Sequence, residues 1–287
     1  MENKEKQSNV ESTREYLAAN GFKFSKSMGQ NFLIDANIPE KIVKLSGIDD
    51  SCGVLEVGPG LGALTDELSK SAGFVAAVEL DKRLISVLKS KFAETKNVYI
   101  TQGDILKLDI RKLVDDVMPD FDYHVCANLP YNITTPVITA FVESGIFKSV
   151  TIMVQKEVAL RICAKPGSKD YGAFTVYTNY HTDPEMLFDV SPTCFIPRPK
   201  VTSSVVRMRI REERLLSPED EKYFFKVVKA AFGQRRKTLV NALHAVLGET
   251  ISKDEIAKIL ERCDLNKDVR GETLCVEEFI KISSQLR

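Results

Sequence analysis

Asn128, Leu129, Pro130 and Tyr131 set an amide, a proline-fixed turn and an aromatic ring side by side, directly after the apolar run 123–127. Such a set can act on the exocyclic amine of a flat base. The lone pair of that amine is conjugated into the ring and attacks poorly. Acceptors that take hydrogen bonds from the NH2 group let its nitrogen turn pyramidal toward an electrophile. The Asn128 side-chain oxygen and a backbone carbonyl of the Leu129–Pro130 turn can be those acceptors. Tyr131 can hold the base by stacking. A proline turn with a packed tyrosine is the bland alternative.

An electrophile needs its own site. The run 54–57 is apolar but for Glu56, glycines stand at 58, 60 and 62, and a helical pattern leaves through Leu64, Thr65 and Leu68. A strand, a turn without β-carbons and a helix N-terminus let a ligand approach backbone N–H groups closely. The spacing is not the G-x-G-x-x-G of dinucleotide sites. Glu56 stands two residues before the first glycine, and Glu79 closes the next apolar run, 74–78. A carboxylate at that place binds ribose hydroxyls in nucleoside sites. E-x-G-x-G-x-G followed by such an acid is the usual pattern for S-adenosylmethionine (SAM) in Rossmann-like methyltransferases. A tight turn without a ligand and an NAD-dependent oxidoreductase are the rivals, and the glycine spacing disfavours the second. Asp104, within Gly103, Asp104, Ile105 and Leu106, follows a further apolar stretch. Taken singly it reads as a helix cap. Glu79, Asp104 and Asn128 together mark three successive strand ends, where open α/β sheets bind ligands, so the ligand role is favoured.

These residues need elements to carry them. The spacing predicts strands at 54–57, 74–79, 98–101, 122–127 and 150–155, with helices near 63–72, 82–93, 109–117 and 135–145. Alternation of this kind implies a mostly parallel sheet covered on both faces. Upstream, 13–20 reads as a short helix and 37–47 as another. Gln30 and Asn31 fall between a glycine and apolar Phe32 and Leu33, which suits a loop anchored at one end and meeting a ligand at the other. The stretch 151–211 reads as further strand material, including a strand at about 202–211. Phe195 begins a proline-stiffened basic loop with Arg198 and Lys200. It fits the far side of a base sandwich or the core equally well. Beyond 211 the pattern is helical. Lys222, Lys226, Lys229, Arg235, Arg236 and Lys237 share 222–237 with no acidic residue among them, and Phe224, Phe225, Val228 and Phe232 interleave at helical spacing. The basic side is a solvated face or a phosphate-binding one, and the phosphate reading is favoured.

Composition sets the bounds. The chain has 287 residues, 44% hydrophobic, enough to bury a large core. Its 40 basic and 40 acidic residues cancel, so nucleic-acid affinity must come from a local patch. Six cysteines are scattered without a C-x-x-C, and three histidines form no ligand cluster. Reduced thiols, no metal, no membrane span and a cytoplasmic chain are expected.

The motifs recur together in one known family. Gly29–Leu33, the 56–65 loop, 103–106, Asn128 to Ile133, Phe195 to Val201 and Phe232 to Leu239 occur here in order. From about residue 20 onward the chain closely resembles the bacterial ribosomal RNA adenine N6,N6-dimethyltransferases of the KsgA (RsmA) family. The resemblance implies an α/β fold, a Rossmann-like SAM-dependent methyltransferase sheet with a small C-terminal all-helical domain. Its expected parts are 1–20, a polar extension and first helix; 21–211, the methyltransferase domain; and 212–287, the helical RNA-binding domain. It implies SAM as cofactor, touched by Asn31, Leu33, Gly58, Glu79, Asp104 and Asn128. The residue chemistry adds a catalytic group of Asn128, Leu129, Pro130, Tyr131 and Phe195, and RNA contacts from Arg198, Lys200, Arg235, Arg236 and Lys237. The implied reaction is dimethylation of two adjacent adenosines in a hairpin loop near the 3′ end of small-subunit rRNA, within an immature 30S subunit, by a monomer. Erm-type methyltransferases of large-subunit rRNA are near relatives; Gly60-Leu61-Gly62, where those usually carry G-K-G, and the long C-terminal part favour the small-subunit enzyme. An assembly factor acting mainly by binding RNA is the alternative from another class.

Overall fold

The computed structural model describes residues 30–287. The expected helix at 13–20 and Gly29 lie outside the described residues. The chain divides into two compact units, one formed by residues up to 159 with 185–210, the other by 160–184 with 211–287.

The first unit is built on a sheet. In chain order it holds β1 (Phe32–Leu33), α1 (Asn37–Ser46), β2 (Cys52–Val57), α2 (Ala63–Ser71), β3 (Phe74–Glu79), α3 (Lys82–Lys91), β4 (Val98–Gln102), α4 (Ile110–Val117), β5 (Asp122–Asn128), α5 (Thr134–Ser144) and β6 (Phe147–Gln155). After α6 (Lys156–Ile162) and α7 (Ala173–His181) come β7 (Thr182–Val190), β8 (Phe195–Ile196) and β9 (Ser203–Ile210). The seven-stranded sheet runs β4-β3-β2-β5-β6-β9-β7. Strands β4, β3, β2, β5 and β6 pair in parallel, and β9 joins β6 antiparallel. Every residue of β2 is buried, as expected of a strand covered on both faces. The helices between the strands start cleanly because Asp81 and Asp109 cap α3 and α4, accepting the N–H groups of Arg83 and Lys112. Strand order turns at β2, with β3 on one side and β5 on the other. A crevice therefore opens at the carboxyl ends of these strands.

The second unit is helical, with α8 (Pro218–Gly233), α9 (Leu239–Leu247), α10 (Lys253–Arg262) and α11 (Val276–Leu286). Phe224, Leu243, Leu260 and Phe279 are buried at its centre. Two features depart from expectation. Residues 156–162 and 173–181 are helices rather than strand material, and the 160–184 segment packs with the C-terminal helices. Tyr171, Val176 and Tyr180 share the core of Phe224, and the Tyr171 hydroxyl donates to the Leu274 carbonyl at 2.6 Å. The expected helix over 222–237 also stops early. It ends at Gly233, and 234–237 is a turn closed by Lys237 N–H donating to Gln234 O at 2.9 Å.

Candidate active site

The crevice holds a cavity whose wall includes Asn31, Gly58, Glu79, Asp104, Asn128 and Tyr131. Six residues chosen from separate stretches of sequence thus share one wall.

The glycine turn forms its floor. Gly58, Gly60 and Gly62 have φ of +69°, +61° and +76°, a region that L side chains avoid. A β-carbon on Gly62 would lie 2.7 Å from the Phe92 ring, and one on Gly60 would lie 3.0 Å from Phe32. Both positions are thus closed to larger residues by backbone and by packing. The turn is tied down by the Gly58 N–H, which donates to Val78 O at 2.9 Å.

Glu79 ends β3 and is 6% exposed. Its Oε2 accepts the Gly60 N–H at 3.2 Å, and its Oε1 accepts the Asp81 N–H at 2.8 Å. Burial pushes its carboxyl above the ordinary range, and the backbone donors oppose that rise. The carboxylate is therefore preset in place, with lone pairs beyond those the backbone uses. Asp104 answers to both of its readings. Its Oδ1 accepts the Leu106 N–H at 3.1 Å, a turn cap, while the residue also lines the cavity.

At the end of β5, the Asn128 Nδ2 donates to the Asn31 carbonyl at 3.4 Å. That bond orients the amide, and its Oδ1 accepts no hydrogen bond from the described residues. The Leu129 N–H is bound to Met153 O at 3.2 Å, and the side chain is buried. The Pro130 carbonyl is occupied by the Ile133 N–H at 3.2 Å and the Thr134 hydroxyl at 3.3 Å. Of the two turn carbonyls, Leu129 O is the one left to meet a ligand. The Tyr131 hydroxyl is within 2.7 Å of Ser203 Oγ, which fixes the ring from β9.

Leu33 lines a smaller neighbouring cavity with Glu56, Gly58, Gly60 and Asn128. Phe195 departs from the base-sandwich reading. It pairs with Leu33 between β8 and β1, is 2% exposed, and packs with Ile42, Leu64 and Val190. Its place in this structure is the core, because a short antiparallel pair turns its ring inward. Arg198 and Lys200 are exposed on the loop after β8. Arg235, Arg236 and Lys237 are exposed in the turn after α8. Arg235 is also engaged locally, donating to Glu272 Oε2 at 2.5 Å and to Lys169 O at 2.9 Å.

Two further residues lie at the cavities. Gln30, read with Asn31 as the ligand-meeting end of its loop, lines the main cavity. Glu56 is 1% exposed, and its Oε2 has no hydrogen-bond partner among the described residues. Burial pushes its carboxyl up to about 8, so it is neutral at pH 7. The signal for Glu56 was its place two residues before the glycines. Among the described residues no group of His, Cys, Asp and Glu could hold a metal, and no helix is long and apolar enough to cross a membrane.

Comparison with known proteins extends this geometry. The profile of the family "Ribosomal RNA adenine dimethylase" matches residues 21–282. A protein of Alkaliphilus oremlandii named "Ribosomal RNA small subunit methyltransferase A" is 44% identical over 281 residues, 97% of each chain. The protein of that name from Clostridioides difficile is 45% identical over 273 residues, 95% of this chain and 94% of the other. Among solved structures, a dimethyladenosine transferase from Plasmodium falciparum superposes with a TM-score of 0.76 at 28% identity, covering 88% of this chain and 95% of that one. The 23S rRNA methyltransferase ErmE superposes with a TM-score of 0.71 at 24% identity, covering 89% and 99%, a likeness of fold.

Proposed function

This chain belongs to the ribosomal RNA adenine dimethylase family, and from that premise we propose that it dimethylates N6 of two adjacent adenosines in a hairpin loop near the 3′ end of small-subunit rRNA. It is an rRNA adenine dimethyltransferase that uses SAM. The small-subunit target rests on the relatives at 44–45% identity, which carry that name; the large-subunit enzyme is the more distant match at 24%. The pair of loop adenosines within an immature 30S subunit rests on the resemblance.

The wall fits the cofactor on its own evidence. A buried carboxylate stands ready for ribose hydroxyls at Glu79, and the glycine turn presents backbone to the cavity at Gly58 and Gly60. In our assignment Glu79 holds the ribose, Asp104 the adenine amine, Gly58 the amino-acid end, and Asn31, Leu33 and Asn128 complete the contacts. When bound, the cofactor supplies the electrophilic methyl group. The chain supplies alignment. Asn128 Oδ1 and Leu129 O accept from the target amine and turn its lone pair toward the cleft. Tyr131, pinned by Ser203, presents a face for the base, at about 1–3 kcal/mol of stacking. Pro130 sets the turn that aims both acceptors. The base must leave its stack to reach this wall, which costs least in a loop. Arg198, Lys200, Arg236 and Lys237 are our candidates for phosphate contacts, with Arg235 bracing its turn.

The free amide oxygen at Asn128, beside a carboxylate fixed for ribose, carries this reading. Purified protein incubated with labelled SAM and immature small subunits should place label on two neighbouring adenosines. Label confined to large-subunit RNA would move the chain to the Erm-type activity. Tight RNA binding without any transfer would make it an assembly factor.

A further inference from the structure

Asp81 sits where the chain leaves β3 for α3, and its carboxylate is held from several sides. Its own N–H donates to Glu79 Oε1 at 2.8 Å, and its Oδ1 accepts the Arg83 N–H at 3.1 Å. The Arg83 guanidinium binds both oxygens, Nε to Oδ1 at 2.9 Å and Nη2 to Oδ2 at 2.6 Å. The residue is 3% exposed. Onto this fixed anion comes an amide from far away in the sequence. Gln30 Nε2 donates to Asp81 Oδ2 at 2.8 Å across 51 positions.

The bonds form one chain, Gln30 to Asp81 to Glu79 to Gly60. It joins the segment before β1, the end of β3 and the glycine turn. Gln30, Glu79 and Gly60 line the cavity, whereas Asp81 is not among its wall residues. Asn31 follows Gln30 directly, and its carbonyl accepts the Asn128 amide. The segment leads into β1, two residues long, which pairs Phe32 with Ile196 and Leu33 with Phe195, and Ile34 N–H donates to Cys194 O at 2.9 Å just beyond it.

We propose that Gln30 and Asp81 are positioning residues whose hydrogen bond latches the N-terminal segment to the end of β3, so that Asn31 and Glu79 hold the cofactor together only while the latch is closed. This rests on SAM as the ligand of the cavity. The bond is charge-assisted, the stronger class of hydrogen bond. Arg83 and Gln30 hold the Asp81 carboxyl at about 2, so the acceptor is ionised at neutral pH. The latch braces contacts to the bound cofactor, so its loss acts chiefly on the dissociation rate.

The test compares full-length wild type with Gln30→Ala, Asp81→Asn and the double variant. Asparagine also caps helices well, so α3 is kept in Asp81→Asn. SAM dissociation is followed by displacement, and amide exchange at 30–33 is measured without SAM. Gln30→Ala should release SAM about tenfold faster, the loss of one bond to a charged group. The amides at 30–33 should exchange faster while those of α3 do not. The double variant should be no worse than the worse single variant. Gln30→Glu, which sets two carboxylates against each other, should release SAM faster than Gln30→Ala. Wild-type rates of release and exchange in Gln30→Ala, or additive effects in the double variant, would overturn the latch while leaving the cofactor reading intact. A wild-type protein that binds no SAM would overturn both.

Discussion

Glu79 carries two tasks on one carboxylate. It holds the Gly60 and Asp81 N–H groups, and in our assignment its remaining lone pairs go to a ribose. Glu79→Gln keeps the shape but turns an NH2 toward one of those backbone donors. The variant should bind SAM more weakly by about 1.5–3 kcal/mol, the range for a hydrogen bond to a charged group. Calorimetry with an unchanged dissociation constant in the folded variant would remove Glu79 from the site. Glu56 makes a prediction about pH. Its ordinary value is 4.5 and burial raises it to about 8 in the folded chain. Between these values the folded state keeps a proton that the unfolded state has lost. Stability should therefore fall as pH rises through that window, by up to about 1.4 kcal/mol per pH unit. Glu56→Gln should flatten this slope in denaturant titrations at pH 5.5 and 8. Parallel profiles for variant and wild type would show that Glu56 does not hold the proton. At this scale the sequence set Glu79, Asp104 and Asn128 toward one pocket, because strand ends are local signals, while the cofactor contacts at Asn31 and Gly58 came from the family resemblance. It left Phe195 undecided, since an aromatic residue before a proline serves a core or a ligand equally well. The Gln30–Asp81 bond was out of reach, because nothing local links positions 51 apart.

Elements were legible where one period dominated. The runs of β2 and β3 are apolar but for Glu56 and Glu79, and α3 and α4 begin at aspartate caps. The helix α7 was not legible. Thr175, Val176 and Thr178 are β-branched and favour strands on propensity. Burial and side-chain bonding override that preference. Thr175 Oγ1 donates to Arg161 O at 2.6 Å, and Thr178 Oγ1 donates to Phe174 O at 3.1 Å. The early end of α8 redirects the RNA prediction. Arg236 and Lys237 stand in an exposed turn, while Arg235 is tied to Glu272. Arg236→Ala with Lys237→Ala should lower the salt slope of single-stranded RNA binding by about 0.7 per lost phosphate contact. Arg235→Ala should instead lower thermal stability by loosening its turn. An unchanged slope in the double variant would make the turn a solvated surface.

At the scale of the whole molecule, charge neutrality and two compact units divide the labour. The sheet unit carries the cavity lined by Glu79, Asp104 and Asn128, to which we assign the cofactor and the base amine. The helical unit carries basic residues in a chain with no net charge to attract RNA globally. The catalytic wall must accept an amine and then its monomethyl form. In our assignment Asn128 Oδ1 and Leu129 O give it two acceptors, so the loss of one N–H donor at the second transfer need not release the base. Mass spectrometry of nuclease-digested rRNA, from cells lacking this protein and from cells re-expressing it, measures that outcome. N6,N6-dimethyladenosine should return at two neighbouring adenosines of small-subunit rRNA, with monomethyl species only in passing. Monomethyladenosine as the end product, or modification restored only in large-subunit RNA, would contradict the account.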